Sequence, residues 1–155
     1  MRISRISIEN FRNFHHLDIP LNSPIVIVGE NKIGKSNLVH ALRLVLDPSL
    51  PDTARQLRDE DFWDGLPRPL KKEDRILIVI ELTDFGDNDD QLAVLGGYLV
   101  ESEPMTARLT YVFQPASTIE GDPLKETDYE FFMYGGDHPT DLVGYEIRRH
   151  IPLDV

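Results

Sequence analysis

Residues 25 to 38 read Ile-Val-Ile-Val-Gly-Glu-Asn-Lys-Ile-Gly-Lys-Ser-Asn-Leu, and the order of residue types in this stretch decides the fold. Ile25 to Val28 is an unbroken β-branched run, the pattern of a strand buried on both faces as parallel strands in α/β sheets are. Gly29 to Ser36 follows at once and fits G-x-x-x-x-G-K-[ST] at every fixed position. Leu38, Ala41, Leu42, Val45 and Leu46 then recur at three- and four-residue spacing, giving one apolar helix face. Asp47-Pro48 stops that helix, because proline disfavours the helical region for the residue before it. Strand, glycine-bearing loop and amphipathic helix together make a P-loop.

Each fixed position of the loop has a physical task. The glycines allow backbone geometry in which consecutive N–H groups approach phosphate closely. The helix behind them adds the positive end of its dipole. Lys35 reaches the β- and γ-phosphate oxygens of such a ligand, and the Ser36 hydroxyl ligates magnesium. Gly29, Glu30, Asn31, Lys32, Ile33, Gly34, Lys35, Ser36 and Asn37 are therefore the candidate contacts for a nucleoside triphosphate, ATP with Mg2+.

Working outward, Ile3, Ile6, Ile8 and Phe11 among polar residues read as a half-buried opening strand. Leu17 to Leu21 reads as a second short strand that ends at Asn22-Ser23-Pro24. Residues 48–75 are proline-rich and of mixed charge, a long connection with a short helix and with Phe62 and Trp63 as anchors. Ile76 to Leu82 is the second strong strand. Asp87 to Asp90 suits the positive end of a helix running to Val100, with Gly96-Gly97 against it. Arg108 to Phe113 and Tyr129 to Tyr134 read as antiparallel neighbours across the loop from 115 to 128. The last segment, Tyr145 to Val155, has apolar positions and no clear stop.

The 155 residues suit one compact domain with a real core. The 27 acidic and 16 basic residues leave a formal charge of −11, whereas a domain gripping DNA through phosphate contacts carries a basic stripe. Basic candidates are limited to Arg2, Arg5, Arg12, Lys71-Lys72 and Arg148-Arg149. Cysteine is absent, which excludes a disulfide framework and a thiolate metal site. The opening residues do not form a signal peptide, and no apolar run approaches the roughly 20 residues of a membrane span. The expected location is the cytoplasm.

Two flanking features narrow the P-loop class. Ile8-Glu9-Asn10-Phe11-Arg12-Asn13-Phe14 resembles the I-x-N-F-R-x-F opening of RecF- and SMC-like ATPase heads, and Gly34-Lys35-Ser36-Asn37 with Leu38, Ala41 and Leu42 is similar to their first helix. Within that group the chain looks most like the N-terminal ATPase part of the OLD-family (overcoming lysogenization defect) endonucleases; Leu46-Asp47-Pro48 and Asp61-Phe62 support the placement more loosely. The resemblance is specific over residues 1–48. It implies an α/β P-loop NTPase of the ABC-ATPase-head type, with a mixed sheet around the P-loop helix and an antiparallel β portion. It further implies ATP and Mg2+, a homodimer or higher oligomer formed through the heads, and a C-terminal Toprim nuclease acting on DNA in phage defence or DNA processing. The signature motif, the Walker B acids, the switch histidine and the Toprim acids have no convincing counterparts in residues 1–155, so residues 1–155 are expected to be the N-terminal lobe of a longer chain that binds ATP without efficient hydrolysis.

Four further places have two readings each. Gln114, at a strand end before Pro115, is either a turn residue or, as the resemblance implies, a Q-loop glutamine reaching magnesium and the attacking water. Arg12 is either a solvated strand-end residue or, by the same resemblance, a contact to the nucleotide phosphates. Ile76 to Glu81 is a core strand ending in a surface acid, or a Walker B strand. Asp87-Asn88-Asp89 has the Asp-x-Asp spacing of a Toprim metal pair, or is a solvated helix start. The histidines show no metal-ligand spacing. The competing functions are a small self-contained phosphotransferase, with Glu81 near magnesium and Arg148 and Arg149 as phosphate clamps, and a non-enzymatic nucleotide sensor.

Overall fold

The computed structural model describes residues 1–22 and 34–151. Ile25 to Val28 and the loop positions Gly29, Glu30, Asn31, Lys32 and Ile33 lie outside the described residues, as does 152–155. Strands β1 (Arg2–Phe11) and β2 (Phe14–Pro20) form a hairpin, followed by helix α1 (Lys35–Leu46). The proline-rich connection holds the short helix α2 (Asp52–Arg55) and a 3-10 turn at Asp59–Asp61. Next come β3 (Ile76–Thr83), α3 (Asp89–Leu95), β4 (Leu99–Ser102), β5 (Met105–Pro115), β6 (Tyr129–Gly135) and α4 (Tyr145–Arg148). The strands join in one antiparallel sheet of order β2-β1-β3-β5-β4, with β6 also on β5.

Alternation along the central strands gives the sheet one apolar face. Ile6 and Ile8 of β1 stand opposite Ile80 and Ile78 of β3, which stand opposite Leu109 and Tyr111 of β5. All six are buried and share one cluster with Ala41, Leu44 and Val45 of α1, so α1 is packed on this face. The other face carries Arg5, Ser7, Leu77, Val79, Glu81, Arg108 and Thr110, which line a cleft of about 260 Å³. Phe62, anchored as the sequence implies, fills the end of the core with Phe113 and Tyr129, at ring centroid distances of 5.8 and 5.9 Å.

The far end of α1 is closed by a buried cation. The fully buried Arg55 side chain donates to the carbonyls of Leu44, Asp47 and Leu50, and its own carbonyl accepts from the Tyr111 hydroxyl at 2.5 Å. The Leu44 and Asp47 carbonyls belong to the last turn and C-cap of the helix, where intrahelical partners run out, and the Leu50 carbonyl lies in the loop beyond. Asp47 takes hydrogen bonds from the Ser49 hydroxyl at 2.6 Å and from Arg43 Nε at 2.8 Å, which hold its pKa down at about 2.

Some boundaries differ from the sequence expectations. The second strand starts at Phe14, three residues early, because hairpin pairing with β1 extends to Phe11↔Phe14. The helix after Asp87 stops at Leu95, with Asn88 Oδ1 capping the N–H of Gln91 at 3.0 Å, and Gly96–Tyr98 tightens into a 3-10 turn before β4. The glycine pair therefore ends the helix instead of lying within one that reaches Val100. Tyr129–Gly135 and Met105–Pro115 do pair antiparallel across the 115–128 loop.

Candidate nucleotide site at the head of helix α1

The described part of the P-loop, Gly34 to Ser36, is the start of α1. Gly34 caps the helix with φ 81°, the left-handed region that glycine enters at little cost, and its carbonyl accepts from the Leu38 N–H at 2.9 Å. A Cβ there would lie 2.2 Å from Asn13 Nδ2, so the hairpin turn sits directly against the loop. The first turn holds no acidic residue. No carboxylate within that turn competes with an anion for the positive end of the helix dipole, and Lys35 is half-buried and Ser36 exposed beside it. These features fit a polyphosphate, and the Ser36 hydroxyl is the described group that would meet its magnesium.

The β1–β2 turn is tied to this helix head. Arg12 adopts φ 51° and Asn10 φ 56°, unusual for residues with a Cβ. The conformation is fixed from outside: the Arg12 N–H donates to the Asp61 carbonyl at 2.8 Å, and the Trp63 N–H donates to the Asn10 carbonyl at 2.9 Å. Arg12 Nε meets Asp61 Oδ1 at 3.0 Å, and Nη1 donates to Asn37 Oδ1 at 2.9 Å. Asn37 Nδ2 in turn donates to Asn13 Oδ1 at 2.8 Å. Residues from β1, the hairpin turn, the first turn of α1 and the 59–61 turn thus form one connected network. His40, one turn further along α1, lies over Phe11 with ring centroids 6.0 Å apart. Burial pushes its pKa down, and the Arg12 charge adds to the shift.

Of the expected site residues, Gly34, Lys35, Ser36, Asn37 and Arg12 come together here. Arg12 is ion-paired and two-thirds buried in its side chain, unlike a freely solvated strand-end residue. Gln114 is elsewhere: Phe113 points into the core, so alternation turns Gln114, paired with Glu130, to the face away from α1. Glu81 lies on that same far face, accepting from Arg108 at 2.8 and 3.0 Å. Arg148 is buried, with Nη1 3.2 Å from the Met133 sulfur, and Arg149 pairs with Glu146 at 3.2 Å. Neither the acid nor the clamps of a phosphotransferase converge on α1. Sequence reasoning gave no site role to Asp61 or Asn13: Asp61 lies 49 positions from Arg12, and no local spacing relates them.

This architecture, an antiparallel sheet with its apolar face on the helix of a P-loop motif, has the fold of ABC-type ATPase heads. Residues 1–138 match the family model of the AAA ATPase domain, and the chain belongs to that family. Endonuclease GajA of Bacillus cereus is 33% identical over 90 residues, 58% of this chain and 15% of that protein. DNA replication and repair protein RecF of Rickettsia massiliae is 45% identical over 40 residues, 25% of this chain and 11% of that one. Chromosome partition protein Smc of Cereibacter sphaeroides is 30% identical over 114 residues, 71% of this chain and 9% of that one. A solved structure from work on ATP-driven dimerization and DNA-stimulated activation of SMC ATPases superposes with TM-score 0.55 at 18% identity, covering 96% of this chain and 76% of the other, which shows a shared fold. The chain spans 15% or less of the length of these curated relatives. Among the described residues, no helix is long and apolar enough to cross a membrane.

Proposed function

We propose that this chain binds ATP with Mg2+ through Gly29 to Ser36 and serves as the nucleotide-binding lobe of an OLD-family-like, ATP-dependent DNA endonuclease. The observation that carries the proposal is the head of α1, where a left-handed Gly34 and an acid-free first turn present Lys35 and Ser36, and Arg12 from the hairpin turn is bonded to the adjoining Asn37. Lys35 and the helix N–H groups hold the β- and γ-phosphates, Ser36 holds the metal, and Arg12 approaches the phosphates from the side. The similarity to GajA favours an endonuclease over the other DNA-processing machines that use such heads. ATP then works as a switch: it binds one arrangement of two heads better than another, and that difference in affinity licenses or restrains the nuclease. DNA contact falls to other parts of the assembly, in keeping with the charge of −11 here.

Hydrolysis requires groups that stabilise charge developing on the γ-phosphate, and residues 1–155 carry no recognisable signature motif or Walker B pair. ATP turnover by the chain, measured against protein concentration in magnesium, tests the proposal. Intact binding with negligible turnover at every concentration is the expected result. Robust turnover by the monomer would refute it and favour a self-contained phosphotransferase.

A further inference from the structure

We infer that Asp61 is a positioning residue for ATP: its carboxylate holds Arg12 in the orientation in which that guanidinium, braced by Asn37, faces the terminal phosphate. This inference rests on the nucleotide site proposed above. Asp61 is itself fixed before it meets Arg12. Its Oδ2 accepts from the Arg58 N–H at 2.9 Å, closing the 59–61 turn, so that Oδ1 is left pointing at Arg12 Nε, 3.0 Å away. The backbone at Asp61 and just after it is tied to the end of β1 and its turn, through Asp61 carbonyl to Arg12 N–H and through the Phe11↔Phe62 bridge. Asp61 keeps only 15% of its side-chain surface and Arg12 33%, so the pair is shielded from much of the screening that weakens surface ion pairs.

The other end of the guanidinium reaches α1. Arg12 Nη1 donates to Asn37 Oδ1, Asn37 donates to Asn13, and the Asn13 amide sits where a Cβ on Gly34 would be. One rigid chain therefore runs from the 59–61 turn to the cap of the P-loop helix. Arg12 is held at two points, with its charge beside the helix end to which Lys35 belongs. A left-handed arginine is a costly way to end a strand, and such conformations persist where surrounding structure over-determines them. Here Asp61 supplies both the backbone and the side-chain half of that constraint.

The sign of one substitution separates positioning from bulk electrostatics. Asp61→Asn removes a negative charge near an anionic ligand; electrostatics alone then tightens both ATP and ADP. If Asp61 aims Arg12 at the terminal phosphate, the same change weakens ATP about tenfold, the scale of one charge-assisted hydrogen bond, and leaves ADP nearly unchanged. Binding of ATP and of ADP in magnesium is measured for wild type, Asp61→Asn, Asp61→Glu, Arg12→Ala and the Arg12→Ala/Asp61→Asn double variant. The expected pattern is an ATP-selective loss in Asp61→Asn, partial rescue in Asp61→Glu, and no further loss in the double variant beyond Arg12→Ala. Should Asp61→Asn fail to fold, Asn37→Ala tests the same chain from the helix end and is expected to show the same ATP-selective loss. Tighter binding of both nucleotides, an equal change in both, or additive losses would overturn the positioning role while leaving the nucleotide site standing. Absence of nucleotide binding by wild type would overturn both.

Discussion

Replacing Gly34 by alanine separates two demands the fold makes at one position. The first is conformational: φ 81° places a side-chain-bearing residue in the left-handed region, at a cost of about 1 kcal/mol. The second is steric. The new Cβ would lie 2.2 Å from Asn13 Nδ2, so Asn13 must move and give up its 2.8 Å bond from Asn37, which costs about another 1 kcal/mol. The sum, about 2 kcal/mol, lowers Tm by about 4–8 °C in a domain of this size. Thermal unfolding of Gly34→Ala, Asn13→Ala and the double variant measures the two parts separately. Asn13→Ala alone gives up the hydrogen bond and clears the space, so the double variant retains only the conformational cost on top of it. The two substitutions are then coupled by about 1 kcal/mol. Strict additivity, or a Gly34→Ala protein as stable as wild type, would refute the packing of the hairpin turn against the helix cap.

Other outcomes follow from the packing. Gly135→Ala places a Cβ 2.1 Å from the Tyr98 ring and costs about 1–3 kcal/mol by overpacking; denaturant unfolding checks it, and Tyr98→Ala in the same background should recover part of the loss. Arg55→Met removes the guanidinium that bonds the carbonyls of Leu44, Asp47 and Leu50, of which Asp47 keeps the Leu50 N–H, and lowers stability by about 3 kcal/mol, seen as a shifted urea midpoint. Asp47 loses its contribution in acid: its folded pKa of about 2 lies below its ordinary 3.8, so the unfolded state binds the proton first as pH falls. Its stabilisation is complete above pH 3.8 and lost on the way down through pH 2, by about 1–2 kcal/mol after allowance for solvent screening. Asp47→Asn should flatten that part of the pH–stability curve.

The P-loop helix and the central strand β3 were legible because their patterns are strong and local. Leu38 to Leu46 carries a helical stripe, and Ile76 to Leu82 a β-branched run that only a core strand needs. The antiparallel pairing of β5 and β6 followed from two apolar runs joined by one polar loop. The end of the helix after Asp87 was not legible in the same way, since Gly96-Gly97 breaks a weak amphipathic pattern that tertiary contacts around Tyr98 then resolve. For the site, the motif named Gly34, Lys35 and Ser36 directly, and the resemblance of the 34–37 run added Asn37. Asp61 stayed hidden because a proline-rich connection brings it back to the hairpin turn, a return seen in the Phe11↔Phe62 pairing and the backbone bonds beside it. Gln114 had a suggestive place before a proline, but strand alternation, fixed by Phe113 in the core, turns it to the other face.

The central claim is that a nucleoside triphosphate sits at the head of α1. Calorimetric titration of ATP with magnesium into wild type and Lys35→Ala tests it most directly. Saturable binding by wild type that is lost in a folded Lys35→Ala variant is the predicted result. Equal binding by both proteins, or none by wild type, would contradict it.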